Sequence, residues 1–156
     1  MQEKFEQSLI IMKPDALQRN LMGEIISRFE RKGLKIIGLK MLDVSDVLIE
    51  EHYGHLKDKP FFESIRNYIQ SSPVIVMALV GINAVSAIRL VVGPTAGFEA
   101  DAGSIRGDFS MSKQSNLVHA SDSVENGISE VKRFFKDDEL FNYKKIDTDF
   151  IYSDSK

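Results

Sequence analysis

Apolar positions fall along this chain in two alternating patterns, short unbroken runs and stripes at helical spacing. The run "QSLIIMK" ends in Lys13-Pro14-Asp15 and predicts a buried strand closed by a turn. In "NLMGEIISRFERKG", Leu21, Met22, Ile25, Ile26 and Phe29 share one helical face, and Gly33 supplies a C-terminal stop. "LKIIGLKML" predicts a second strand. In "SDVLIEEHYGHL", Ser45 or Asp46 is the N-cap and Leu48, Ile49, Tyr53 and Leu56 form the apolar stripe. Pro60 can open the next helix, "FFESIRNYIQ". "PVIVMALVG" is nearly all apolar, which predicts a central strand covered on both faces. "NAVSAIRLVVG" reads as a helix between an Asn cap and a Gly stop.

Residues 93–115 read as one long irregular segment, and loops of that length in compact domains are usually functional. "NLVHA" predicts a short fourth strand. "DSVENGISEVKRFF" predicts the last long helix, with Asp122 and Glu125 spaced as a capping box variant and Val124, Ile128, Val131 and Phe135 as its core stripe. The tail "NYKKIDTDFIYSDSK" is polar with aromatic anchors. Collapsing the middle pair of helices gives β-α-β-β-α-β. That is the ferredoxin-like pattern of the α+β class, an antiparallel four-stranded sheet covered by helices, here with extra helices and a long loop. The superfold hosts many activities, so function has to come from a site.

Length and charge narrow the classes. The 156 residues suggest a single domain, spanning 1–156, with a real core. A net charge of -3 argues against a protein that coats nucleic acid, although a local basic pocket is compatible with it. The absence of cysteine removes disulfides, thiolate nucleophiles and Cys-based zinc sites, and fits a cytoplasmic protein. The N-terminal apolar run is too short for a signal peptide. No stretch approaches the ~20 apolar residues of a membrane helix.

P-loop, protein-kinase glycine-loop and H-E-x-x-H motifs are missing. His52 and His55 have the spacing of a metal pair but no nearby third ligand, so surface histidines are the expectation and no metal site is assigned. His119 by itself is ambiguous, since a lone buried histidine is more often a satisfied core residue. Its setting favours chemistry. It ends a strand just before a helix N-terminus, which favours anions, and Ser121 points to the same side of the chain. Lys13, Arg89 and Arg106 lie on separate elements, and three such cations near a nucleophile suggest a phosphate clamp.

"NLVHASDS" resembles the N-x-x-H-[GA]-S-D signature of nucleoside diphosphate kinases. "MKPDALQR", "HYGHLKDKPFF", "GPT" and "SIRGDF" resemble further blocks of that family in the same order, so the similarity runs from about Ser8 to Tyr152. The resemblance implies transfer of the γ-phosphate of a nucleoside triphosphate to a nucleoside diphosphate, with low base specificity, by a ping-pong route through phosphohistidine. It implies that His119 is the nucleophile and that Lys13, Tyr53, Arg89, Thr95 and Arg106 contact the phosphates. Asn116 and Lys13 would bind ribose hydroxyls, Phe61 would stack on the base, and Glu130, with Ser121 beside it, would hold the imidazole. All ten residue types are present.

The chemistry accounts for these residue types. Imidazole, with an unperturbed pKa of about 6.5, is a nucleophile near neutral pH. One ring nitrogen attacks while the other donates to a carboxylate that fixes tautomer and orientation. The loose transition state of phosphoryl transfer leaves catalysis to positioning and charge. Mg2+ would arrive bridging the nucleotide's phosphate oxygens, which needs no metal cage in the protein.

Three positions depart from the family pattern. Lys113 stands where an apolar residue is usual across the base from Phe61, and predicts a modest preference for guanine. Gly97 and Ala102 stand where many relatives carry proline, which leaves the unfolded loop freer by ~1 kcal/mol per site. The resemblance also implies a homo-oligomer, and "DFIY" looks like the tail of hexameric rather than tetrameric members. Two rival readings are a catalytically inactive, nucleotide-binding regulatory member of the family and a ferredoxin-like nucleic-acid module. The intact set from Lys13 to Glu130 speaks against the first, and the acidic charge against the second.

Overall fold

A computed structural model of the chain describes residues 5–154. Four strands, β1 (Phe5–Met12), β2 (Lys35–Leu42), β3 (Val74–Ile82) and β4 (Val118–Ala120), form one sheet in the order β2-β3-β1-β4. Every pairing is antiparallel. This is the α+β architecture expected from the sequence. β1 and β3 are central, and the period-2 alternation of their side chains feeds two cores. Ile10, Met12, Met77 and Leu79 pack with Ile25, Phe29 and Ile88 on one face. Leu9, Ile11, Val76 and Ala78 pack with Ile49, Phe62, Val131 and Phe134 on the other. Each of these side chains except that of Ala78, when fully buried, contributes roughly 1.5–3 kcal/mol, so these two strands carry much of the folding drive.

Eight α-helices surround the sheet among the described residues. α1 (Pro14–Gln18) follows β1 directly, with Pro14 at its start. α2 (Met22–Lys32) ends at Gly33, whose φ of 99° is the left-handed stop that glycine supplies. α3 (Asp46–Tyr53) is capped by Ser45, whose hydroxyl accepts from the Leu48 N–H. α4 (Phe62–Ile69) and α5 (Ala84–Val92) flank β3. Asn83 adopts φ 52° at the start of α5 without a side-chain cap, and Glu6 accepts from the Val85 N–H instead. Asparagine serves there by tolerating the left-handed conformation.

Three expectations need correction. Residues 93–115 are not irregular throughout, because a 3-10 turn (Gly97–Glu99) and α6 (Ile105–Phe109) lie within them. Gly97 donates its N–H to the Ser112 carbonyl, and a Cβ there would lie 2.4 Å from the Ser110 carbonyl oxygen. Proline would lose that bond and collide, so the local packing accounts for glycine at this position.

The last long helix, α7 (Val124–Phe134), is capped by Ser123, which accepts from Asn126, and not by Asp122. Of the expected stripe, Val131 and Phe135 are buried and Val124 and Ile128 are exposed, and Gly127, Glu130 and Phe134 complete the buried face. A Cβ on Gly127 would lie 2.0 Å from the Gln7 carbonyl oxygen, so the helix meets β1 through its backbone and turns Glu130 inward. The tail, with α8 (Thr148–Ile151), is anchored only in part. Tyr152 accepts from the Ile82 N–H and Tyr143 donates to the Ile36 carbonyl, whereas Phe141, Ile146 and Phe150 are exposed.

Candidate functional site

The site forms where β4 lies against β1. Pairing of Ile11 with His119 puts the imidazole beside the C-terminal end of β1, where Lys13 leaves the sheet. Inward-turned Glu130 meets the ring from behind, with Nε2 2.7 Å from Oε1 and 3.2 Å from Oε2. A carboxylate accepts, so Nε2 carries the proton and the lone pair of the neutral ring sits on Nδ1. Ser121 is buried, accepts from the Leu9 N–H at 2.9 Å and donates to Glu130 Oε1 at 3.2 Å. That chain of bonds ties strand, carboxylate and imidazole into one unit.

In front of the ring is a cavity of about 630 Å³. Its lining includes Lys13, Tyr53, Phe61, Arg89, Thr95, Arg106, Asn116 and His119, together with Lys113, Gln114 and Tyr68. Glu130 and Ser121 lie behind His119 and do not line it. The structure therefore brings together all ten residues singled out in the sequence. Lys13 Nζ donates to Asn116 Oδ1 at 2.8 Å, and Asn116 Nδ2 donates to the Thr95 carbonyl at 3.0 Å.

Arg106 is buried and donates to three carbonyls, those of Asn116 (3.2 Å), Gly93 (3.0 Å) and Val118 (2.5 Å). A guanidinium has five N–H groups, so two remain for a ligand. Arg106 thus ties Gly93 to the 116–118 segment as well as facing the cavity. Burial, and then the neighbouring charge of Arg106, push Lys13 down to about 8, with Asp15 opposing. Burial and the Arg89 charge push Arg106 down to about 10. Two cations held together at this cost mark a place made for anions. Burial also pushes the Tyr53 phenol up, which keeps its hydroxyl a donor.

His52 was expected at the surface and is instead buried. Its ring stands edge-on to His119 with centroids 4.6 Å apart, and also packs on Tyr53 and Phe134. Burial, followed by the charges of His119 and Arg133, pushes it down to about 2, so it is neutral. Its Nδ1 accepts from Arg133 at 3.0 Å. The signal was present in the sequence, because His52 falls between Ile49 and Leu56 on the apolar stripe of α3. Its partner in the supposed metal pair, His55, is exposed.

Among the described residues, His52, His119 and Glu130 form a group with ligand atoms within 4.8 Å of one another. Two imidazoles and a carboxylate, with a guanidinium on one imidazole, do not suit Mg2+, which takes oxygen ligands. The lining of the cavity in front of His119 carries cations and hydroxyls and no carboxylate. That lining fits a metal held by phosphate oxygens rather than by the protein.

A carboxylate-held histidine facing a cation-lined cavity suits a phosphotransferase that works through a covalent intermediate. A sequence model of the nucleoside diphosphate kinase family matches residues 6–140. A nucleoside diphosphate kinase of Parabacteroides distasonis is 51% identical over 89% of this chain and 91% of its own. One from Archaeoglobus fulgidus is 46% identical over 96% and 99%. The solved structure of a halophilic nucleoside diphosphate kinase from Halobacterium salinarum, in complex with CDP, superposes with a TM-score of 0.92 at 36% identity, covering 96% of this chain and 99% of that one. The chain belongs to the nucleoside diphosphate kinase family.

Proposed function

We propose that this single-domain chain is a nucleoside diphosphate kinase that moves the γ-phosphate of a nucleoside triphosphate to a nucleoside diphosphate through phosphohistidine on His119. The observation that carries the reading is the hydrogen bond from His119 Nε2 to Glu130, which leaves Nδ1 as the nucleophile toward the cation-lined cavity. Nδ1 attacks the γ-phosphorus, the bond to the bridging oxygen breaks, and the nucleoside diphosphate leaves with that electron pair. A terminal oxygen of a second nucleoside diphosphate then attacks the phosphorus, the N–P bond breaks, and its electron pair returns to Nδ1, which restores the neutral ring.

Lys13, Arg89 and Arg106 balance the negative charge spread over the equatorial oxygens. Tyr53 and Thr95 donate to phosphate oxygens, and Asn116 and Lys13 take the ribose hydroxyls. Phe61 stacks on the base, a contact that any base can make. Mg2+ bound through the nucleotide's phosphates would neutralise part of their charge. Glu130 spreads the positive charge that develops on the ring, and Ser121 keeps Glu130 in place.

The chain acts in the cytoplasm as a homo-oligomer, a hexamer rather than a tetramer. Leu39 and Met41 are exposed on the edge strand β2, a surface that a neighbouring copy would cover. Among the described residues no helix is long and apolar enough to cross a membrane. A steady-state assay with ATP as donor and GDP as acceptor tests the activity. Parallel lines in double-reciprocal plots are expected, and binding of both nucleotides without turnover would identify the inactive regulatory member instead.

A further inference from the structure

The segment that delivers His119 passes through a strained turn. Leu117 is a fully buried, non-glycine residue at φ 75°, and the Val118 N–H reaches back to the Asn116 carbonyl at 2.9 Å. An i→i+2 bond around a positive φ is the rarer, strained form of the γ-turn. Such a turn persists only where its surroundings over-determine it. Here the neighbouring helix α1 does so. The Leu117 N–H donates to Asp15 Oδ2 at 3.0 Å, and the Leu117 carbonyl accepts from the Lys13 N–H at 2.8 Å. The other carboxylate oxygen of Asp15, Oδ1, accepts from the Tyr68 hydroxyl. Asp15 does not line the cavity, yet its neighbours on both sides of the gap, Lys13 and Asn116, do.

We propose that Asp15 is a positioning residue of the phosphoryl-transfer site: its carboxylate fastens the strained Leu117 turn that sets Asn116 and His119, and its charge is the counter-charge to Lys13. The proposal rests on the phosphotransfer reading above for its kinetic consequence only. Bound on both oxygens, Asp15 fixes the turn between two ligand-facing residues, so the imidazole and the Lys13 ammonium keep one mutual geometry. Lys13 faces Arg106 and Arg89 across the cavity, with His119, Tyr53 and Tyr68 also on its wall. Asp15 and Arg106 act on Lys13 with opposite signs, Asp15 as the carboxylate that opposes its loss of a proton. Removing that charge lowers the pH at which Lys13 becomes neutral.

The test compares the full-length chain with Asp15→Asn, Asp15→Glu and Tyr68→Phe. Three readouts are taken: single-turnover phosphorylation by ATP and Mg2+ across pH, nucleotide dissociation constants, and the titration of Lys13 followed by its side-chain NMR signal. Asp15→Asn should slow phosphorylation by about tenfold or more with little change in nucleotide affinity, as expected of lost alignment. Its alkaline limb and its Lys13 midpoint should move together to lower pH. Asp15→Glu keeps the charge and displaces it, so it should slow phosphorylation while leaving the Lys13 midpoint in place. It decides the matter if the asparagine variant does not fold. Tyr68→Phe should change the phosphorylation rate and the Lys13 midpoint least.

The proposal is overturned if the variants phosphorylate as fast as the parent, or if their losses match only an unfolded fraction while the Lys13 midpoint stays put. Failure of the parent chain to phosphorylate would overturn the functional reading. The Lys13 titration would still judge the charge part of the proposal in that event.

Discussion

The two ends of the cavity are built differently. At the phosphate end, Arg106 spends three N–H groups on backbone carbonyls, and Lys13, Asn116 and Thr95 form a bonded chain. At the base end, Phe61 is 48% exposed and Lys113 is exposed beside Gln114, whose bonds to Ser64 are long and at the surface. One end is fixed before the ligand arrives, and the other is left to adapt. Preorganised charge lowers the barrier without reorganisation when charge develops, whereas an open aromatic face accepts any base. The division explains how a site can be exacting about phosphate and tolerant about base.

The comparison is broken most severely at the rigid end. Lys13→Ala and Arg106→Ala should each lower kcat more than they raise KM, by ~2.7–4 kcal/mol in kcat/KM. Steady-state kinetics check this, and a rise in KM alone would assign both residues to ground-state binding. The two variants should separate in stability. Arg106→Ala takes a donor from each of three carbonyls and should melt well below the parent, while Lys13→Ala removes a buried charge and should melt close to it.

A smaller effect comes from His52, whose buried neutral ring makes the rigid end sensitive to acid. Its folded-state value of about 2 lies below the ordinary 6.5, so the unfolded chain binds the extra proton throughout that window. The stability that His52 contributes is therefore complete above about pH 6.5 and lost as pH falls toward 2, at about 1.4 kcal/mol per pH unit. His52→Phe should flatten the stability curve below pH 6.5, as measured by denaturant unfolding at several pH values. An unchanged slope would mean that the ring is free to protonate.

The smallest effect belongs to the open end. Lys113 lines the cavity with an exposed side chain, so its ammonium can reach a guanine edge where O6 and N7 both accept. The preference for guanosine over adenosine diphosphate should be on the order of 1 kcal/mol or less and weaken with salt. Lys113→Val should reduce it and leave kcat near the parent's value. Equal kcat/KM ratios in the two proteins would show that Phe61 clamps the base alone.

Much of this was legible in the sequence, and the exceptions share physical causes. β1 and β3 announce themselves as apolar runs because both their faces are covered. The buried face of α7 was legible only in part, at Val131 and Phe135, because an apolar stripe is no guide where Gly127 is there for close backbone approach and Glu130 for an imidazole. His52 was misjudged by its spacing to His55, when its register with Ile49 and Leu56 placed it inside. The Leu117 turn leaves no trace, since leucine is not a residue that turn chemistry favours. The site residues were legible chiefly as blocks resembling a family, with spacing alone offering only a cluster of cations near a histidine.

Intact mass of the chain after incubation with ATP and Mg2+ tests the central claim most directly. The parent should gain a single phosphoryl group that acid removes, alkali preserves, and adenosine or guanosine diphosphate discharges, and His119→Ala should gain none. An acid-stable adduct as the only product, or the same adduct on His119→Ala, would contradict the account.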